Sequence, residues 1–320
     1  MDQPILFMGT PSFAVPTLEA MIEAGWPIVG VVCQPDRPAG RGQKLTPPPV
    51  KELALKHGLT VHQPEKLRKN EAFTQLLREL NPALIVVVAY GNLLPQEVLD
   101  IPRHGCLNVH ASLLPKYRGA APIQWSLING DAVTGVTLMK MDLGMDTGAM
   151  LAKAELAIAP DDTTLTLSPK LANLGAALAV DRIPDWVAGR LSPEPQPEAE
   201  ATYAPKLTKE TGRLDWHKPA RALHHLIRGV TPWPGGTTTL AGQPLKALQS
   251  QVRPHTGGRP GEIVDLGPEG WLVACGEEAL LLTQVQAPGK PPQAAADVAR
   301  GWRDVSVGLR LGELTGAAGA

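Results

Sequence analysis

Apolar and polar positions change rhythm along this chain, and each rhythm predicts a different element. Pro4-Ile5-Leu6-Phe7-Met8-Gly9 and Ala83-Leu84-Ile85-Val86-Val87-Val88-Ala89 are unbroken apolar runs. Runs without alternation mark central strands covered on both faces. Between them the period lengthens. Ala14 to Ala24 reads as a helix stopped by Gly25, Ile28 to Cys33 as a second strand, and Glu65 to Leu80 as a helix carrying Leu67, Phe73, Leu76, Leu77 and Leu80. Such strand-helix-strand alternation predicts an α/β fold with a doubly wound, mostly parallel sheet. Sheets of this kind gather ligands beyond the carboxyl ends of their strands.

The rhythm then breaks. Leu191-Ser192-Pro193-Glu194-Pro195-Gln196-Pro197-Glu198-Ala199-Glu200 is acidic and rich in proline, which predicts a stiff, extended linker. Past it, Thr237 to Leu240, Leu245 to Leu248, Gly261 to Val264, Trp271 to Ala274 and Ala279 to Gln286 read as short strands between glycine turns. That spacing predicts a small β-barrel, preceded by a helix over Ala220 to Arg228 and followed by a frayed tail over Thr315 to Ala320. The expected division is a first domain over 1–190, a linker over 191–204 and a second domain over 205–314.

Composition narrows the classes open to the chain. At 320 residues it has room for two cores, and 43% hydrophobic with 19% charged residues fits a soluble globular protein. A net charge of −1 excludes a global basic field, so any nucleic-acid partner must be held by local patches. The three cysteines, Cys33, Cys106 and Cys275, lie far apart and predict reduced, mostly buried thiols. No apolar run approaches the roughly 18 residues of a membrane span, and no charged-then-apolar leader precedes the first strand. A cytoplasmic location is expected.

The candidate chemistry sits in Gly105-Cys106-Leu107-Asn108-Val109-His110, read as a strand end. A period of two puts Asn108 and His110 on one face. An amide donor beside an imidazole suits a carbonyl oxygen that becomes an oxyanion, and a carboxylate from a later loop, Asp146, suits orienting the ring or moving a proton. No serine or cysteine stands in a nucleophile motif, and the Gly-x-Ser-x-Gly elbow is absent, so direct acyl transfer to an amine is expected. The plain alternatives are a turn amide at Asn108, a satisfied histidine at His110 and a loop aspartate at Asp146, with Asp142 a competitor. Metal binding is not expected. His224 and His225 face different directions on a helix, and no cysteine or acidic cluster accompanies His57 and His62. Gly9-Thr10-Pro11 lacks a nucleotide-loop pattern, and Pro11 removes a backbone donor.

Longer motifs carry a resemblance. Asn108-Val109-His110-Ala111-Ser112-Leu113-Leu114-Pro115-Lys116-Tyr117-Arg118-Gly119-Ala120-Ala121-Pro122-Ile123, with Thr134-Gly135-Val136-Thr137 and Met141-Asp142-Leu143-Gly144-Met145-Asp146-Thr147-Gly148, resembles the signature of the folate-dependent formyltransferases. Phe7 to Pro11, Gln34 to Gly42, Val87 to Gly91 and Pro232-Trp233-Pro234 extend the match over nearly the whole chain. The resemblance implies a Rossmann-like catalytic domain and an oligonucleotide-binding-type barrel. It implies 10-formyltetrahydrofolate as cosubstrate, no metal, and initiator methionyl-tRNA as partner. The α-amine of the tRNA would take the formyl group, giving N-formylmethionyl-tRNA for translation initiation. Asn108 would donate to the formyl oxygen, His110 would steady the tetrahedral intermediate and shuttle a proton toward the folate nitrogen, and Asp146 would act on the amine.

Other roles follow from the same resemblance. Ser112, Leu113, Leu114 and Pro115 would help form the folate site, with the loops at Val87 to Gly91 and Thr137 to Asp142 presenting backbone groups to the pterin. Gly9 to Pro11 would be a substrate-side loop, with Phe13 facing the methionyl side chain. Gln34 to Lys56, a long basic loop with Arg37, Arg41, Lys44, Lys51 and Lys56, would enter the acceptor stem, Arg41 leading; Lys206, Lys209 and Arg213 would extend the phosphate-contacting surface. A plain solvated surface is the rival reading there. The segment Asp161 to Leu171 departs from the family pattern, and Pro169 is expected to disturb a helix start. A transferase acting on a small amine and a non-catalytic RNA-binding protein remain as rivals, and a monomer is expected.

Overall fold

The computed structural model describes residues 2–39, 42, 44–301 and 305–312, in two compact units. The first takes in the chain up to Pro122 with Val133–Ala157 and Ser168–Ala204; the second takes Ile123–Ala132, Ile158–Leu167 and the chain from Pro205 on.

The first unit is built on strands β1 (Ile5–Gly9), β2 (Ile28–Val32), β5 (Val61–His62), β6 (Leu84–Val88), β7 (Cys106–His110), β9 (Val133–Lys140) and β10 (Met150–Ala157), with a hairpin of β3 (Arg37–Ala39) and β4 (Lys44–Thr46) after β2 and the short β8 (Arg118–Gly119) after β7. The main sheet runs β10-β9-β7-β6-β1-β2-β5. Its β5, β2, β1, β6 and β7 are parallel, and β9 and β10 close one side antiparallel. The expected mostly parallel sheet is therefore present. Every residue of β1 and β6 is buried, which is why neither strand alternates. Helices α1 (Val15–Glu23), α2 (Pro49–Lys56), α3 (Glu71–Leu80) and α4 (Gln96–Leu99) connect the parallel strands. One core gathers Leu6, Met8, Val32, Phe73, Leu77, Ile85 and Val87.

Parts of the chain differ from the sequence reading. Helix α3 starts at Glu71 rather than Glu65, because Asn70 caps it by accepting a hydrogen bond from the Phe73 amide at 3.1 Å. The stretch Gln34 to Lys56 is not all loop: it holds the β3–β4 hairpin and α2, which buries Val50, Leu53 and Ala54 at helical spacing.

Helix α5 (Pro122–Ile128) follows β8, and α6 (Thr164–Val187) runs on through Pro169. A proline forfeits one backbone bond and does not by itself end a helix held by tertiary packing. Of the expected linker, Glu194 exchanges backbone bonds with Met150 at 2.8 Å in each direction, and β11 (Tyr203–Ala204) pairs with β8. Gly119 has φ +122°, and a Cβ there would stand 2.8 Å from the Ala204 carbonyl, so only glycine admits this pairing.

The second unit carries α7 (Ala220–Val230), an antiparallel sheet of β12 (Gly236–Leu240), β13 (Gln243–Arg253), β14 (Ile263–Gly267), β15 (Gly270–Ala274), β16 (Ala279–Gln286) and β17 (Gln293–Ala294), and α8 (Ala295–Gly301). Bulges at Ala247/Gln249 and Gln249/Ser250 bend the long β13. Leu223 and Ile227 of α7 join Trp271, Leu280 and Leu282 in its core, where the Trp271 indole donates to the Ala295 carbonyl at 2.7 Å. The tail over Thr315 to Ala320 lies outside the described residues.

Candidate active site

Strand β7 ends among the carboxyl ends of the parallel strands, where its Asn108 stands level with Val87 of β6 and its His110 level with Thr137 of β9. The two side chains share a face, as the period of two requires. Asp146 reaches them from the turn between β9 and β10. Its carboxylate lies 3.4 Å from the Asn108 amide nitrogen and 3.6 Å from Nδ1 of His110. The three candidates, drawn from two segments, therefore converge. His110 is nearly buried, at 6% side-chain exposure, and Asp146 is 17% exposed, so the charge sits where water screens it weakly.

His110 is oriented by the backbone. Its Nε2 lies 2.9 Å from the Tyr117 carbonyl, which only accepts, so Nε2 carries hydrogen. In the neutral ring the Nδ1 lone pair then faces Asp146, ready to take a proton, and the imidazolium that results meets a carboxylate. Asp146 is fixed in turn by the Gly119 amide, which donates to its other carboxylate oxygen at 2.9 Å. Tyr117 and Gly119 were not singled out by side-chain chemistry; both act through the backbone, and the only sequence sign of them was their place in the long motif.

Asp142, the competitor, faces away from this role. Its Oδ1 accepts from the Gly144 amide at 3.0 Å and the Thr147 hydroxyl at 2.7 Å, which folds the turn that presents Asp146. Asp146 itself adopts φ +55°, a left-handed conformation uncommon outside glycine. At Gly148 a Cβ would come within 1.8 Å of the Lys140 carbonyl, so the turn closes only with glycine.

The Ser112 to Pro115 segment is held by Thr137. The Thr137 hydroxyl donates to the Ser112 carbonyl at 2.7 Å and accepts from the Leu114 amide at 3.1 Å. Ser112, Leu114 and Pro115 are buried, the Ser112 hydroxyl donates to the Lys116 carbonyl at 2.5 Å, and Leu113 is half-buried. At the neighbouring strand ends, the Thr10 hydroxyl donates to the Tyr90 carbonyl at 3.0 Å and accepts from the Gln34 amide at 3.2 Å, tying three loops together. Phe13 is half-buried.

Of the basic candidates, Arg37 and Lys44 lie exposed on the β3–β4 hairpin, and Arg41 lies outside the described residues. Lys51 is engaged elsewhere: its Nζ donates to both Asp36 oxygens at 2.8 Å and to Gln63 at 2.9 Å. Hydrogen bonds from Gln63 and Lys51 hold the Asp36 carboxyl below its usual range. Lys206, Lys209 and Arg213 are exposed in the second unit. The three thiols are free and buried, and burial pushes Cys33 up to about 11, so none is a ready nucleophile. Among the described residues no three His, Cys, Asp or Glu side chains group to hold a metal ion, and no helix is long and apolar enough to cross a membrane.

Comparison with known proteins agrees with the geometry. Residues 3–183 match the formyl transferase family model, and residues 206–303 the model of the formyl transferase C-terminal domain. The chain is 50% identical over 308 residues to a methionyl-tRNA formyltransferase of Geobacter metallireducens, covering 96% of this chain and 98% of that one. It is 51% identical to one from Caldanaerobacter subterraneus, over 89% of this chain and 92% of the relative. Among solved structures it is similar to the sugar 3N-formyl transferase WlaRD (TM-score 0.66, 16% identity, 91% of this chain and 99% of that chain). It is also similar to Aquifex aeolicus HypX in complex with tetrahydrofolic acid (TM-score 0.61, 18% identity, 93% of this chain and 47% of that chain). With a sheet of this topology, a site of this composition and relatives this similar along its length, the chain belongs to the formyl transferase family, in company with the methionyl-tRNA formyltransferases.

Proposed function

We propose that this enzyme moves the formyl group of 10-formyltetrahydrofolate to the α-amino group of initiator methionyl-tRNA. The observation that carries the reading is the convergence of Asn108, His110 and Asp146 at the carboxyl ends of the parallel strands, in a chain half identical to methionyl-tRNA formyltransferases. An amide, an imidazole and a carboxylate, with no serine or cysteine in a nucleophile motif of the sequence, suit direct attack by an amine on an acyl carbon.

The folate supplies an activated formyl carbon, and the bond from that carbon to its nitrogen is the one that breaks. Asn108 donates its amide hydrogen to the formyl oxygen as negative charge gathers there. The attacking amine must be neutral, so a proton leaves it as the new carbon–nitrogen bond forms. His110 takes that proton on Nδ1 and returns one to the departing folate nitrogen, while Asp146 steadies the charged ring and orients the amine. Ser112, Leu113, Leu114 and Pro115 shape the folate side, with backbone groups of Val87 to Gly91 and Thr137 to Asp142 toward the pterin. Residues 1–190 carry the chemistry. The tRNA is gripped by Arg37, Arg41 and Lys44 and by Lys206 and Lys209, the last two in a second domain over 205–314.

The test is formyl transfer to charged tRNA on filters. Wild type should formylate initiator methionyl-tRNA well and elongator methionyl-tRNA poorly, and His110→Ala should lose the signal. Equal signal from wild type and His110→Ala, or transfer only to a glycinamide ribonucleotide or an amino-sugar nucleotide, overturns the reading.

A further inference from the structure

The proline-rich stretch after α6 reaches back into the site through one side chain. Gln196 is half-buried while its neighbours from Ser192 to Glu200 are exposed. Its amide nitrogen donates to the carbonyls of Asp146 and Gly148, each at 2.7 Å, so both of its hydrogens hold the turn that presents Asp146. Its oxygen accepts from Nε of Arg118 at 2.9 Å. Arg118 is 1% exposed, and its Nη1 pairs with Glu198 at 2.8 Å, so the guanidinium is fixed at both ends. The next residue, Gly119, donates to the Asp146 carboxylate. Backbone bonds anchor the stretch on either side of Gln196: Glu194 to Met150, and the Arg118 amide to the Thr202 carbonyl at 2.8 Å.

We propose that Gln196 is a positioning residue for formyl transfer: it clamps the Asp146 turn so that the carboxylate stays against His110 and Asn108. The inference rests on the functional reading above. Asp146 sits in a left-handed conformation, which aspartate tolerates better than most residues but which still costs an L-residue energy, so contacts from outside the turn help to hold it. Two donated hydrogen bonds to the carbonyls that flank Thr147 do so. Only a side-chain amide can donate twice on one side and accept from Arg118 on the other. A carboxylate at this position keeps the Arg118 partner but turns lone pairs toward two carbonyl oxygens. Gln196→Glu therefore removes the clamp while leaving the buried arginine satisfied.

The experiment compares wild type with Gln196→Glu under saturating 10-formyltetrahydrofolate and charged initiator tRNA. We expect kcat to fall at least about tenfold, as a displaced catalytic group requires, with each KM within about twofold of wild type. In an Asp146→Asn background the same substitution should cost less than about twofold more, because the group it positions is already disabled. A Gln196→Glu enzyme with wild-type kcat overturns the proposal, as does a full, additive loss in the Asp146→Asn background. Hydrogen exchange gives a readout free of activity. The Gly119 amide, which donates to Asp146, should exchange faster in Gln196→Glu, and unchanged exchange there overturns the clamp. If wild type itself transfers no formyl group, the functional reading fails, and the exchange result alone decides the clamp.

Discussion

His110 turns Nε2 to the Tyr117 carbonyl, 2.9 Å away, and so presents Nδ1 to Asp146. In the proposed reaction, that pairing fixes which ring nitrogen takes the proton. Replacing His110 by Asn, which has no titrating nitrogen, should lower kcat by roughly 10²–10⁴ while leaving folate binding intact. Steady-state kinetics with a separate folate-binding titration checks this.

Gly148 closes the turn that carries Asp146, and a Cβ there would meet the Lys140 carbonyl at 1.8 Å. Gly148→Ala is expected to destabilise the first unit by about 1–3 kcal/mol and to reduce transfer as well, because relief of the clash moves the turn. Urea unfolding at fixed pH measures the first effect and the formylation rate the second.

How much of this was legible beforehand depends on the kind of signal. Asn108 and His110 were readable because strand periodicity puts them on one face, and the long motif tied them to Asp146. Residue type and spacing alone left Asp142 a competitor of Asp146, and it was the long motif that favoured Asp146. Each is an aspartate among glycines, and only the hydrogen bonds of Asp142 to Gly144 and Thr147 show that it builds the turn. The unbroken apolar strands gave away the sheet, whereas the start of α3 hung on one capping bond of Asn70. Lys51 looked like one more basic loop residue, since its pairing with Asp36 spans 15 positions and leaves no local pattern. The stretch 191–204 reads as a linker by composition, and a single glutamine with a two-residue strand has no periodicity that would reveal its docking.

In the second unit, burial first, and then the charges of Arg228 and His225, bring His224 down to about 4. Its Nδ1 lies 3.1 Å from the Ser250 hydroxyl. A histidine depressed below its unfolded value of about 6.5 resists protonation only in the folded state. Its contribution is therefore fully present above pH 6.5 and is lost as pH falls from about 6.5 toward 4. The urea midpoint should drop across that window, and His224→Gln should flatten the drop. A midpoint equally pH-dependent in both proteins contradicts the assignment.

Arg41 lies in the sequence between Arg37 and Lys44, both of which are exposed. Arg41→Ala should raise the KM for tRNA at physiological salt, leave the KM for folate unchanged, and reduce the slope of log affinity against log salt by about one. Titrations over a salt series read both effects.

The central claim is that Asn108, His110 and Asp146 act as one catalytic unit. Single-turnover formyl transfer to initiator methionyl-tRNA, with both substrates bound, tests it most directly in Asn108→Ala, His110→Ala, Asp146→Asn and the triple variant. Each single change is expected to slow transfer by roughly 10² or more, and the triple variant to be little slower than the worst single, as for residues that work together. A single variant transferring at the wild-type rate, or losses that multiply fully in the triple, would contradict the account.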